Sequence, residues 1–294
     1  MIIAGACGYG VWPSNSIEGA RACVDTPVAG LEIDVHLTAD GHVVAHHDYD
    51  LHPDQCRLEG QWLDARGPLL RDATLSDLRR YDLGRARPGS RRARQAHGEM
   101  DAVFMPTLPE ILQVLAAVPG PKRDLFVEIK TDPADYRQSA DPVRLLDAVL
   151  SDLEAADWMD AAKVIAFDWS VLRRLKTLAP SIPTAHLTVP EAMHGQIVRD
   201  AAGDSPWNDG CDPRHHGDSE LRAIVAHGGE EWSPHVSDVT EARMAEARDL
   251  GLRVGVWGLG SAADIDRMAA WGADVLTVSG PVWTVGQGAA TASA

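Results

Sequence analysis

Three carboxylates and a lysine, set on two short stretches of alternating residues, hold the densest chemistry in this sequence. The first stretch is Leu31-Glu32-Ile33-Asp34-Val35-His36-Leu37. Successive side chains of a strand point to opposite faces, so Leu31, Ile33, Val35 and Leu37 share one face and Glu32, Asp34 and His36 the other. The second stretch, Phe126-Val127-Glu128-Ile129-Lys130, repeats the alternation with Glu128 and Lys130 on the polar side. Glu32, Asp34 and Glu128 together form a hard, oxygen-only donor set of the kind that holds Mg²⁺ or Ca²⁺. Lys130 stands nearer the end of its strand, where it can hold an anionic substrate oxygen. Between the two stretches, Val43-Val44-Ala45 leads into His46-His47-Asp48. His47 is the candidate general acid or base, because imidazole titrates near neutrality. His215 and His216 have no third ligand nearby and read as loop residues. Cys7, Cys23, Cys56 and Cys211 show no metal-ligand spacing and read as reduced thiols.

These residues need a frame. Apolar stretches at residues 2–7, 30–38, 125–130, 164–168, 184–187, 231–235, 253–257 and 275–278 are predicted strands, and 43–47 is a further extended piece. Helices are expected near 16–24, 76–81, 108–117, 143–155, 169–178, 241–250 and 262–271. Strands alternating with helices of this length imply βαβ units and a parallel sheet, and about eight of them fit a closed (β/α)8 TIM barrel. Gly5, Gly8 and Gly10 do not match GxGxxG, which argues against a doubly wound dinucleotide fold. The outer face of a barrel strand packs on helices, so the polar faces of 31–37 and 126–130 point inward. Buried unpaired carboxylates are costly, which places them at the open C-terminal rim where barrel active sites sit. The expected organisation is one barrel domain over 1–285, an insertion at about 49–105 after the second strand, an irregular stretch at 190–218, and a disordered tail at 286–294.

Length and composition narrow the functional class. The 294 residues are 24% charged and 45% hydrophobic, an ordinary globular mixture. No apolar run approaches the roughly 20 residues of a membrane span, and the first residues lack a basic n-region, so a cytoplasmic location is expected. The formal net charge of −16 disfavours nucleic acid and anionic membranes as partners. A phosphate ester could bind only where a metal or a few placed cations supply a local positive field.

Taken in order, Glu32-Ile33-Asp34-Val35-His36-Leu37-Thr38-Ala39-Asp40-Gly41, then His47-Asp48, then Pro106-Thr107-Leu108, then Val127-Glu128-Ile129-Lys130, the sequence resembles the glycerophosphodiester phosphodiesterase family. Ala166-Phe167-Asp168-Trp169, Val254–Trp257 and Val278-Ser279-Gly280-Pro281 extend the resemblance over most of residues 1–283. It implies a barrel with a small insertion after the second strand, metal ligands at Glu32, Asp34 and Glu128, and a catalytic histidine at His47. Lys130 and Trp257 are the implied substrate contacts, and a small phosphodiester is the implied substrate. One departure stands out. The family opens with His-Arg-Gly at the end of its first strand, and here Gly5-Ala6-Cys7 occupies that place. Gly258 and Gly260 stand where Thr and Asn are common, and Ser279 where Asp is common. Cys7, Tyr9, His36 or His46 could stand in for the missing histidine. The expected activity is therefore metal-dependent phosphodiester hydrolysis with one recognisable histidine. The rival readings are a barrel that binds metal and phospho-ligand without turnover, or one turned to another reaction on an anionic substrate.

Overall fold

Gly30–Leu37 is buried along its whole length, as a strand must be when it packs on helices outside and on side chains inside. In the computed structural model, which describes residues 1–94, 98–190 and 205–280, it is the second of eight parallel strands. These are β1 (Ile2–Ala4), β2 (Gly30–Leu37), β3 (Asp124–Ile129), β4 (Ala162–Ala166), β5 (Thr184–Thr188), β6 (Glu231–Pro234), β7 (Arg253–Leu259) and β8 (Val275–Val278). The barrel closes because β1 pairs with both its neighbours, Ile3 lying opposite Gly30 on β2 and Thr277 on β8. Gly30 is required there, since a Cβ would fall 2.0 Å from the Asp124 carbonyl oxygen.

Seven barrel helices are described: α1 (Ile17–Val24), α2 (Leu108–Ala116), α3 (Pro142–Ala155), α4 (Trp169–Leu178), α5 (Glu220–Ala226), α6 (Glu241–Asp249) and α7 (Ala262–Ala270). Each opens on a side chain that caps its first free N–H groups: Ser16, Thr107, Asp141, Asp168, Ser219, Thr240 and Ser261. Such a cap contributes typically ~1 kcal/mol and fixes where the helix begins. Six of these helices match the sequence reading. The short α5 was not foreseen, because it follows an irregular stretch and offers only two turns of pattern.

Outward-facing Leu31, Ile33 and Val35 join the helices in the main core, while Ile3, Phe126, Ile165, Phe167, Leu187 and Val275 pack inside the barrel. The extended piece Val43–Ala45 is not a barrel strand. It pairs antiparallel with the end of β2, Val35 opposite Ala45, and so turns the chain back over the rim. The segment that follows builds a three-stranded antiparallel sheet from Arg57–Leu58, Gln61–Trp62 and Tyr81–Asp82, with its own apolar core around Leu51, Cys56, Leu70 and Leu78. The helix expected at 76–81 is a single turn, Leu75–Leu78, ended as the chain enters that sheet. Residues 286–294, expected to be a disordered tail, lie outside the described residues.

Candidate active site

Parallel pairing of β2 with β3 sets Asp34 directly opposite Glu128, with Glu32 one inward position below Asp34. One oxygen from each of Glu32, Asp34 and Glu128 can be chosen so that all lie within 4.8 Å of one another, and all three residues are buried. Glu32 Oε2 accepts the Ala6 N–H at 2.7 Å, but its Oε1 is buried with no hydrogen-bond partner. Asp34 is clamped by Asn15, whose Nδ2 donates to Oδ2 at 2.7 Å while Asn15 Oδ1 accepts the Asp34 N–H at 3.0 Å. Lys130 does not stand free at the rim as its sequence position suggested. Its Nζ bends back to lie 2.8 Å from Asp34 Oδ1 and 2.5 Å from Glu128 Oε1.

Protonation tendencies follow from this wiring. Burial, then repulsion from Asp34 and Glu128, pushes the Glu32 carboxyl well up. Burial also raises Glu128, against the pull of Lys130. Burial would raise Asp34 too, but the Lys130 charge and the bonds from Lys130 and Asn15 outweigh it and hold Asp34 at about 2. Lys130 is itself driven up, because its two carboxylate partners outweigh its burial. Three carboxylates and one ammonium leave two formal negative charges, which one divalent cation balances. The hard donor set, that charge and the orphaned Glu32 oxygen fit Mg²⁺ or Ca²⁺.

His47 follows the antiparallel piece and is half-exposed at the rim. Its Nδ1 lies 2.8 Å from Asp48 Oδ1. A carboxylate only accepts, so Nδ1 carries the proton and Nε2 presents its lone pair. The other Asp48 oxygen accepts from Arg92, whose Nη1 also donates to Gln55 Oε1 at 2.9 Å. Against its burial, the bond from His47 and the charge of Arg92 hold Asp48 far below the usual carboxylate range.

At the end of β1 the chain makes a tight turn through Gly5–Cys7, with Ala6 at φ 44° and Cys7 at φ 56°. Left-handed geometry at non-glycine residues costs roughly 1–2 kcal/mol each. Here it aims the Ala6 N–H at Glu32. Of the four candidates for a substitute histidine, Cys7 is fully buried, its thiol pushed up by burial and by Cys23, and it does not line the site cavity. His36 shares the inward face of β2 but ends edge-on to the Tyr49 ring at 5.4 Å, and burial lowers it to about 3. His46 is likewise buried and lowered, and neither histidine reaches the cavity. Tyr9 does.

The cavity holds about 550 Å³ above and inside the barrel. The excursion contributes His52, Asp54, Arg91 and Arg92 to its mouth, and Phe126, Phe167 and Trp257 form an aromatic wall below. Trp257 is held by its Nε1 donating to the Ser233 carbonyl at 3.1 Å and by edge contact with Phe167 at 5.8 Å between ring centres. A second cavity of about 340 Å³ meets the first at His47, His52, Arg92, Glu128, Lys130 and Phe167, and continues past Arg66, Thr131 and Gln138. The sequence patterns give no role to Asn15, His52, Arg91 or Arg92, and Phe126 and Phe167 enter them only as members of strand motifs. The two arginines come near the carboxylates through a fold-back of some forty residues that no local pattern announces.

A model of the glycerophosphoryl diester phosphodiesterase family matches residues 8–281. No curated protein matches the chain. Among solved structures, one assigned to the glycerophosphoryl diester phosphodiesterases from Silicibacter pomeroyi DSS-3 is 28% identical, with a TM-score of 0.83 over 96% of this chain and 91% of that one. An Agrobacterium tumefaciens structure with the same assignment is 18% identical, with a TM-score of 0.72 over 97% and 96%. An Oleispira antarctica phosphodiesterase, solved with its product sn-glycerol-3-phosphate, is 18% identical, with a TM-score of 0.69 over 98% and 95%. No helix among the described residues is long and apolar enough to cross a membrane. With its barrel, its inward carboxylates and a match running through nearly all of its length, the chain belongs to the glycerophosphoryl diester phosphodiesterase family and is a phosphoric diester hydrolase.

Proposed function

We propose that this chain hydrolyses a small glycerophosphodiester-like substrate with a divalent cation held by Glu32, Asp34 and Glu128, and with His47 as its acid–base residue. The observation that carries the reading is the buried Glu32 oxygen left without a partner inside a cluster of two net negative charges. Mg²⁺ or Ca²⁺, when bound, would supply Lewis-acid stabilisation of charge developing on a non-bridging phosphoryl oxygen. Every other task falls to side chains. Lys130, whose ammonium is tied to Asp34 and Glu128, has a third N–H to donate to a phosphoryl oxygen. His47 takes a proton of the attacking water at Nε2 and gives it to the leaving alkoxide oxygen as the ester P–O bond breaks, while Asp48 holds Nδ1–H and so fixes both tautomer and ring orientation. Arg91 and Arg92 at the mouth favour an anionic ester over the acidic remainder of the surface. Trp257 offers its ring face to the alcohol portion. The glycerol-3-phosphate found in the Oleispira neighbour supports a glycerol end on one side of the phosphorus.

Phosphorus NMR of the purified protein with a diester panel, with Mg²⁺ or Ca²⁺ and then with EDTA, tests this. Cleavage that needs the cation and falls at least ~10²-fold in His47→Ala is expected. Undiminished turnover in EDTA, or in His47→Ala, would sink the mechanism.

A further inference from the structure

Barrel interiors are normally filled by layers of branched side chains. Here the upper interior stays open, because small residues (Gly5, Ala6, Ser233 and Gly255) face inward where bulk is usual. The larger cavity therefore continues beneath the carboxylates as far as Glu231. The Glu231 carboxylate reaches up to the level of Gly255, two residues below Trp257 on β7, so this arm runs about 7 Å into the barrel at ~3.3 Å per residue. Its floor is the buried ion pair of Glu231 with Lys163, 2.6 Å apart, Lys163 lying 4.5 Å from the centre of the Phe126 ring. Gly255 keeps the floor open: an added Cβ would fall 2.9 Å from Glu231 Oε1. Between floor and carboxylates the walls are Phe126, Ile165, Phe167, Leu187 and Trp257.

Resting on the phosphodiester reading of the site, we infer that this interior arm receives one alcohol of the diester, and that this alcohol has a flat apolar body, aromatic or similarly broad, with no negative charge at its far end. Three observations converge on that class. The walls offer ring faces and branched apolar groups, and of the three hydroxyls beside them (Ser233, Thr277 and Ser279) Ser233 already donates to the Gly255 carbonyl, too small a set to satisfy a polyol. The floor's lysine is already paired with Glu231, so the floor offers no free cation to an anionic tip. The second cavity, bordered by Arg66, Thr131 and Gln138, gives the opposite alcohol a polar arm on the other side of His47 and Lys130. Two arms of opposite character meeting at the phosphate position suit a diester with one polar and one apolar end.

The test is calorimetry with Mg²⁺ on the whole chain, comparing benzyl phosphate with ethyl phosphate, which share charge and differ in the group entering the arm. Burial of an aromatic ring predicts at least ~10-fold tighter binding of benzyl phosphate. Ser233→Phe, which fills the arm from β6, is expected to remove most of that difference. Because a ring added inside the barrel can prevent folding, Leu187→Trp, a smaller increase in volume on β5, gives a second measurement of the same kind. Equal affinities of the native chain for the two esters, or a difference that survives both substitutions in folded protein, would overturn the inference. Turnover of the benzyl and ethyl diesters of glycerol phosphate is measured in parallel. A retained affinity gap without turnover of either diester would count against the proposed hydrolysis while supporting the arm's specificity.

Discussion

Glu32→Gln separates the two demands made on the acidic cluster, and it is expected to stabilise the metal-free protein while weakening its hold on a cation. In the ion-free cluster Glu32 Oε1 is buried without a donor and faces two other carboxylates. Glutamine keeps an oxygen to accept the Ala6 N–H and turns an NH₂ group toward Asp34 and Glu128, replacing repulsion with donation. Leaving a buried polar group unsatisfied costs about 1–3 kcal/mol, so relief of that order is expected. Chains somewhat shorter than this one shift by roughly 2–4 °C per kcal/mol and longer ones by less, so at about 2 °C per kcal/mol melting should rise by about 2–6 °C in EDTA. Adding Mg²⁺ or Ca²⁺ should reverse the ranking. Native protein at a hundredfold excess over its dissociation constant gains ~2.7 kcal/mol from binding, and the variant, with a neutral amide for an anionic ligand, should gain little. Differential scanning calorimetry with EDTA and with each cation reads both effects. A variant that melts lower than native in EDTA and keeps the native cation shift would refute the reasoning, since Glu32 would then be a structural acid and not a ligand.

Lys130→Met removes the ammonium paired with two buried carboxylates, and breaking such a pair costs about 3–5 kcal/mol, so urea unfolding in EDTA should show a large loss that a saturating cation partly restores. Asp48→Asn keeps the size but not the charge that holds the His47 Nδ1–H and meets Arg92, and steady-state assays should show kcat falling ~10²-fold or more with the fold intact by circular dichroism. His186 is buried, edge-on to Trp169 and bonded to His227, and burial followed by the His227 charge lowers it from 6.5 to about 3. Its folded value is depressed, so the unfolded chain takes up the proton first as pH falls below ~6.5, and stability declines from there toward pH 3 by up to ~1.4 kcal/mol per unit. Replacing His186 by Phe should flatten that acid limb in urea titrations between pH 7 and pH 5, and an unchanged slope would show that other groups govern it.

Much of the barrel could be read directly from residue patterns. Alternation in 31–37 and 126–130 set which side chains face inward, because a strand has a period of two whatever surrounds it. The helices at 108–117 and 169–178 were legible for the same local reason, and the caps Thr107 and Asp168 stand at their starts. The metal-type triad was legible too, since adjacent parallel strands in register must bring inward carboxylates together. What the pattern could not give was direction beyond the strand ends. The sequence favours His47 and leaves His36 open; the structure packs His36 against Tyr49 and orients His47 by Asp48, according to how Val43–Ala45 folds back on β2. Lys130 bends inward rather than outward because two buried carboxylates attract it more strongly than water at the rim. Arg92 reaches Asp48 across 44 residues, and the barrel interior stays open only because small residues from several distant strands meet there. Local periodicity encodes which face a side chain takes; long-range packing and charge pairing decide what it meets, and those depend on segments the chain brings together only when the barrel closes.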